Sequence, residues 1–359
     1  MPLPIFDAHL DLAYLAVSGR DMLAPLDPAA APHPPAAVTL PALAAGNVRF
    51  ALGTIFTERD GAGPEGYKSG DFDRAAVVGR AQLEAYLTWR DRGQITLDRF
   101  RAIRAEPGVG EIRGGMGVAE VVPVPLQKRL ARLPATPALH CGILMENADP
   151  IRSPADLPWW KERGLVAIGM AWSRSSRYAG GNTTDEGVSA AGKELVREMD
   201  RLGIVHDASH LSDRAFDELC GMTTARVIAS HSNCRAIADA SGRNQRHLTD
   251  AQIREIGRRG GVIGLNLYSK FLDPACAEGG RATIESAVSH VERICTLTGS
   301  RLHTGIGTDM DGGFGADRMP LGIDSPADLR RLLDALTARN WSDADLLGFA
   351  CGNWLRVLT

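Results

Sequence analysis

Six residues of two chemical kinds close short apolar runs of this sequence. They are His9 and Asp11 in IFDAHLD, Glu146 ending LHCGILME, His210 ending VHDASH, His231 ending VIASH and Asp309 ending HTGIGTD. Imidazoles and carboxylates ligate cations and move protons. Three of each converging on one place would be costly to bury without a cation, because carboxylates brought together repel and lose hydration. A divalent ion resolves that conflict. Mixed nitrogen and oxygen ligation suits Zn2+, with Mn2+, Fe2+ or Co2+ as alternatives, and six groups exceed what one zinc with an open position accepts. Two ions bridged by Glu146 are the natural division. Such a pair, roughly 3.5 Å apart, holds a hydroxide between its members and polarises a carbonyl beside it. A lone strand-end His or Asp is more often a hydrogen-bonding residue, so the set of six carries the argument.

Convergence needs a scaffold, and the apolar runs supply it. Eight β-rich runs recur: Ile5 to His9, Val48 to Phe56, Ala138 to Glu146, Val166 to Trp172, Ile204 to His210, Arg226 to His231, Gly261 to Asn266 and His303 to Asp309. Helical patterns fill most gaps, at Asp71 to Arg90, Ser153 to Arg163, Ser189 to Leu202, Ser212 to Cys220, Thr249 to Arg259 and Thr283 to Thr298. Near-continuous apolar strands alternating with amphipathic helices predict a parallel sheet coated by helices, and eight repeats predict closure into a (β/α)8 TIM barrel. In such a barrel the strand carboxyl ends form the active face, which is where all six residues fall. His9 and Asp11 are two apart, so both side chains leave the strand on one side, as a two-point grip on a cation.

The remaining sequence narrows the classes. The chain has 359 residues, 44% of them apolar and 23% charged, which is ordinary globular usage and fits one barrel domain over residues 1–359. With 40 basic and 43 acidic residues the net charge is −3, so no overall field recruits nucleic acid or an anionic membrane. No run approaches the roughly 18 apolar residues of a spanning helix, and MPLPIFDAHLDLAY, with acids among its apolar residues, is not expected to act as a signal peptide. Six scattered cysteines without a C-x-x-C read as reduced thiols, and a soluble cytoplasmic protein is expected. The segment Thr57 to Pro137 is too long for a strand-to-helix connection and is expected to be an insertion between strands 2 and 3 with its own helices. The tail from Ser342 to Val357 reads as a closing amphipathic helix with Ser342 as N-cap.

Several look-alikes fail. In GAGPEGYKS (Gly61 to Ser69) Tyr67 breaks the spacing of a phosphate loop, so a mobile loop is expected. DMDG (Asp309 to Gly312) lacks the later acids of a calcium loop, and GVGEIRGG (Gly108 to Gly115) misses the dinucleotide spacing. No Ser or Cys sits in a nucleophile elbow, which favours hydrolysis by activated water.

The motifs DAHLD (Asp7 to Asp11), ILMEN (Ile143 to Asn147), DASHLS (Asp207 to Ser212), SHSNCRAI (Ser230 to Ile237), GRN (Gly242 to Asn244), GGVIGLN (Gly260 to Asn266) and GIGTDMDG (Gly305 to Gly312) resemble the membrane (renal) dipeptidases, peptidase family M19 of the amidohydrolase superfamily. The likeness runs from DAHLDL to CGNWLRVL. It implies His9 and Asp11 on one metal, Glu146 bridging, and His210 and His231 on the second. It implies Asp309 as the acid/base that takes the water's proton and passes it to the leaving amine, and Arg243 as the partner of a substrate carboxylate, suited by its planar fork. Tyr268, just past strand seven, is a candidate for lining the pocket. Relatives of this kind often pair up, so a homodimer is among the expectations.

One departure stands out. Where the family carries a histidine after strand four, thought to stabilise the tetrahedral oxyanion, this chain reads MAW with Trp172. Indole donates one hydrogen bond without charge, which makes it a poorer oxyanion partner and a bulkier wall. Three readings follow: a binuclear hydrolase of a dipeptide or N-acyl amino acid; a related amidohydrolase acting on a lactone, cyclic amide or modified peptide; or a metal-binding homologue without turnover. His206, where the family has an aliphatic residue, is expected as a hydrogen-bonded histidine of the barrel interior.

Overall fold

The computed structural model describes residues 3–97, 100, 103, 110–113, 120–123, 125–130 and 139–359. Eight parallel strands form the predicted barrel: β1 (Ile5–Leu10), β2 (Val48–Phe56), β3 (Leu139–Glu146), β4 (Leu165–Gly169), β5 (Val205–Asp207), β6 (Val227–Ile228), β7 (Ile263–Leu265) and β8 (Thr304–Ile306). They run in the order β6-β5-β4-β3-β2-β1-β8-β7, and a parallel bridge between Ala229 and Ile263 joins the two ends. Register lines up the carboxyl ends, with Glu146 opposite Gly169 and Gly169 opposite Asp207. These strands are buried along nearly their whole length, which is why they read as continuous apolar runs rather than alternating ones.

Local signals set the coat. Ser189, Ser212, Thr249 and Thr283 each cap a helix by accepting a backbone N–H from the first turn, and Gly203 and Gly299 end two of them in the left-handed conformation. Ser342 caps the tail as predicted, although the tail is two helices, Asp343–Leu347 and Asn353–Leu358, joined by a wide turn over Gly348–Gly352. Trp354 anchors this tail: its indole donates to the Ile306 carbonyl at 2.9 Å, and it packs with Phe6 in a cluster that includes Phe50 and Phe100. A Cβ on Gly305 would lie 2.5 Å from the Trp354 indole nitrogen, so the tail closes against a strand that only glycine allows it to approach.

Part of the segment Thr57 to Pro137 lies outside the described residues, including half of GVGEIRGG. Its long helix, Phe72–Asp91, packs on the helix Leu12–Val17 and on β2, and so coats the barrel. The stretch Gly61 to Ser69 belongs to a built turn in which Glu58–Arg59 pairs with Gly66–Tyr67, and the Tyr67 hydroxyl donates to Asp149 at 2.5 Å. No helix among the described residues is long and apolar enough to cross a membrane.

Candidate metal centre

His9 and Glu146 reach the cluster from within β1 and from the end of β3, and the other four come from chain that has just left a strand. The β1 end is held by Asp7, whose carboxylate accepts the His9 N–H at 3.2 Å, the Thr308 N–H at 2.9 Å and the Thr308 hydroxyl at 2.5 Å. This ties the strand carrying His9 to the turn carrying Asp309, whose own N–H donates to the His9 carbonyl at 3.2 Å. Asp207 does the same between β5 and β6, accepting Ser209 N–H at 3.0 Å, Ser230 N–H at 2.8 Å and Ser230 Oγ at 2.6 Å. His210 and Asp309 then take left-handed backbone, at φ 67° and 61°, which aims each side chain across the mouth.

Glu146 is at the centre. One oxygen, Oε2, lies 3.3 Å from His9 Nε2; the other, Oε1, lies 3.2 Å from His210 Nε2 and 3.4 Å from His231 Nε2. His9 Nε2 is also 3.9 Å from Asp11 Oδ1 and 3.9 Å from Asp309 Oδ1. All six side chains are buried. The Thr54 hydroxyl donates to Asp11, and Asn266 Nδ2 donates to Asp309 Oδ2 at 2.9 Å.

Hydrogen bonds on the far side of each imidazole decide where its lone pair points. Ser230 Oγ donates to Asp207, so its lone pairs are left to accept from His231 Nδ1 at 2.8 Å and His9 Nδ1 at 3.3 Å. His210 Nδ1 faces Asn182 Oδ1 at 2.9 Å. With protons on Nδ1, the Nε2 lone pairs of His210 and His231 stand 3.0 Å apart and both face Glu146 Oε1, a buried oxygen with no hydrogen-bond donor among the described residues. Acceptors that point at one another need a cation between them, and this donor set fits a divalent ion. Three overlapping groups meet the spacing of a metal site: His9, Asp11 and Glu146; Glu146, His210 and His231; His9, His231 and Asp309.

The electrostatics agree. Burial disfavours charge on His9, yet Glu146, Asp11 and Asp309 together raise it to about 10. Burial raises Asp309 to about 8, with further repulsion from Asp11 and Glu146. His210 and His231 are driven well below the usual imidazole range by burial first, then chiefly by the charges of Arg246 and His9. The carboxylates call for positive charge, and the two neutral imidazoles offer lone pairs to it.

A cavity of about 290 Å3 opens above these groups, walled by Tyr14, Phe56, Trp172, Tyr268, Phe271 and Phe314. Trp172 and Tyr268 are both among its walls. The Trp172 ring lies 5.8 Å from that of His210 and 5.1 Å, edge-on, from that of Phe56; Tyr268 stacks on Phe314 at 4.4 Å. Arg243 is exposed and is not among the cavity's described lining residues; its backbone N–H is held by Asp239 at 2.8 Å. The nearby arginine that reaches the site is Arg246, buried, donating to the His231 carbonyl at 2.8 Å and to Ser232 Oγ at 3.2 Å. Sequence reasoning missed it, and a second arginine three positions after Arg243 was its only trace. His206 is hydrogen-bonded, but to Asp200 at 2.8 Å on the covering helix Ala190–Leu202, not within the barrel interior. The strand stops at Asp207, so the alternation that would pair His206 with His210 is broken.

A family model described as membrane dipeptidase (peptidase family M19) matches residues 2–359. The chain is 29% identical over 211 residues to an uncharacterized protein in the pqqA 5' region of Klebsiella pneumoniae, covering 56% of this chain and 74% of that one. It is 32% identical over 177 residues to the uncharacterized dipeptidase C3A11.10c of Schizosaccharomyces pombe (49% and 41%), and 29% identical over 206 residues to the dipeptidase aclJ of Aspergillus oryzae (56% and 46%). The match spans less than half the length of these two fungal relatives. Among solved structures, a dipeptidase AC described as a metallo peptidase of family M19 superposes with TM-score 0.77 at 22% identity, covering 100% of this chain and 98% of that one. A metallo peptidase from Rhodobacter sphaeroides, liganded with a phosphinate mimic of the dipeptide L-Ala-D-Ala, does so with TM-score 0.77 at 21% identity, covering 100% and 99%.

Proposed function

The chain belongs to the membrane dipeptidase family, peptidase family M19, and from that premise we propose that it is a binuclear metallohydrolase cleaving the amide bond of a dipeptide or N-acyl amino acid. The observation that carries this reading is the division of the Glu146 carboxylate, one oxygen toward His9 and the other toward His210 and His231. His9 and Asp11 would hold one cation, His210 and His231 the second, and Glu146 both. Two divalent cations held there, with zinc the best match to the donor set, would supply Lewis-acid polarisation of the carbonyl and a lowered pKa for the attacking water.

The chain's own residues do the rest. Asp309, held by Asn266 at 2.9 Å and facing His9 at 3.9 Å, takes a proton from the attacking water and delivers it to the leaving nitrogen. Trp172 and Tyr268 wall the cavity and exclude water from the acyl group. Arg243, exposed and outside the cavity's described lining, would pair with the substrate's carboxylate only by turning its side chain toward the mouth.

The test is reconstitution of metal-free protein with zinc, manganese or cobalt, elemental analysis, and a screen of L- and D-containing dipeptides and N-acyl amino acids. About two ions per chain and amide hydrolysis are expected. Asp309→Asn should abolish turnover while leaving the metal largely bound. One ion per chain or none would remove the binuclear mechanism, and full activity of Asp309→Asn would remove the proton-transfer role.

A further inference from the structure

The turn between Glu58 and Tyr67 places a second acidic feature on the cavity. Glu65 lines it and is only 6% exposed, yet its Oε2 is buried without a hydrogen-bond partner among the described residues. The carboxylate lies over Gly63, where a Cβ would come within 2.2 Å of Oε2, so glycine makes the room it occupies. The turn is built to hold this position: Glu58 N–H donates to the Glu65 carbonyl at 3.0 Å, Asp60 N–H to the Tyr67 carbonyl at 2.7 Å, and Asn147 Nδ2 to the Tyr67 hydroxyl at 2.8 Å.

Glu58 lines the same cavity, and burial followed by the charge of Glu65 raises its carboxyl above the usual range. Five acids therefore face the cavity: Asp11, Glu58, Glu65, Glu146 and Asp309. No lysine or arginine is among its described lining residues. Asp11, Glu146 and Asp309 belong to the metal centre, which leaves Glu58 and Glu65 facing no lysine or arginine among the described lining residues; His33 lines the same cavity and feels the charge of Glu65, but burial holds its imidazole below the usual range. Arg174 lowers Glu58 in part, but it is exposed and paired with Asp60 at 2.9 Å. A buried carboxylate without a partner is costly to keep, and a ligand that brings the partner recovers that cost. Tyr14, Phe56 and Trp172 line the same space, and aromatic faces favour a guanidinium or ammonium group.

We propose that Glu65, supported by Glu58, is an anionic subsite, and that the substrate is a dipeptide-like amide bearing a guanidinium or ammonium side chain. The substrate class rests on the dipeptidase reading above; the subsite itself does not. The test uses the zinc-reconstituted protein and substrates that differ in charge at nearly constant shape. Hydrolysis of Arg-Ala is compared with citrulline-Ala, and Ala-Arg with Ala-citrulline. In parallel, calorimetry compares binding of L-argininamide and L-citrullinamide to wild type, Glu65→Gln and Glu58→Gln. An arginine preference of about tenfold or more is expected in binding and in kcat/KM for one of the two pairs, falling toward unity in Glu65→Gln. A wild-type binding ratio near one, or an unchanged ratio in Glu65→Gln, overturns the subsite. Failure to hydrolyse any dipeptide would instead sink the dipeptidase reading, and the calorimetric ratio would still decide the subsite.

Discussion

Asp207 and Ser230 are joined by a 2.6 Å hydrogen bond that commits the serine proton and leaves its lone pairs to two histidines from different strands, His9 and His231. One hydroxyl therefore orients imidazoles assigned to different cations. Ser230→Ala should weaken binding of both ions by about 10- to 100-fold, the usual cost of losing an orienting partner behind a ligand. Competition with a chromophoric chelator measures it. Unchanged affinity would show that the imidazoles hold their orientation without the serine.

Gly312 is where Asp309 finds its space. A Cβ at that position would lie 1.9 Å from Asp309 Oδ1 and 2.9 Å from Asp11 Oδ2. Gly312→Ala should push the Asp309 carboxylate aside and lower kcat by roughly 10- to 100-fold, since a displacement of about 1 Å suffices for such a loss. Thermal stability should change little beside that effect. Wild-type turnover by the variant would mean that Asp309 is free to shift without cost.

Trp172 faces the cavity beside His210, and an indole is a weak partner for a developing oxyanion. Trp172→His should raise kcat for ordinary dipeptides by about tenfold or more, toward the 10²- to 10³-fold value of one oxyanion donor. Steady-state kinetics on a neutral dipeptide checks it. No gain would place the oxyanion donor on another residue.

Acid sensitivity should have a source away from the metal centre. His290 is fully buried; its Nδ1 accepts the Cys234 N–H at 3.1 Å, its Nε2–H donates to the Leu272 carbonyl at 3.0 Å, and burial lowers it to about 4. Unfolded chains take up this proton as pH falls through about 6.5, whereas the fold resists until near 4. The contribution is thus present above about pH 6.5 and lost between there and pH 4, on the order of 3 kcal/mol. Urea unfolding of chelator-treated protein at pH 7 and pH 4.5 measures it, with His290→Gln expected to flatten the difference. An equal fall in the variant would assign the acid sensitivity elsewhere.

The barrel was legible because its strands are buried on both faces and so appear as uninterrupted apolar runs. The six centre residues were legible because a polar group closing such a run has few structural reasons to be there. What could not be read was the path beyond each strand. The runs ending at Trp172, His210, His231 and Asp309 leave the sheet at Gly169, Asp207, Ile228 and Ile306; past the last three ends the chain follows turns bound to the Asp207 and Asp7 carboxylates, with His210 and Asp309 in left-handed backbone. Side-chain alternation fails from that point, so the parity of His210 says nothing about His206; within β5 His206 alternates with Asp207, whose carboxylate turns to Ser209 and Ser230, and therefore faces Asp200 on the covering helix. Arg246 and Glu65 gave no comparable signal, since a lone arginine or glutamate in a polar loop looks like surface until the loop is folded inward.

The bond from Thr308 to Asp7 spans 301 positions of the chain. During synthesis the first strand leaves the ribosome long before the last, and Asp7 must wait, solvated, for the turn that will receive its charge. A fragment lacking that turn lacks Asp309 as well as the Thr308 donors to Asp7, so the six-residue cluster is complete only when the last strand is in place. The ring's joint is also its timer.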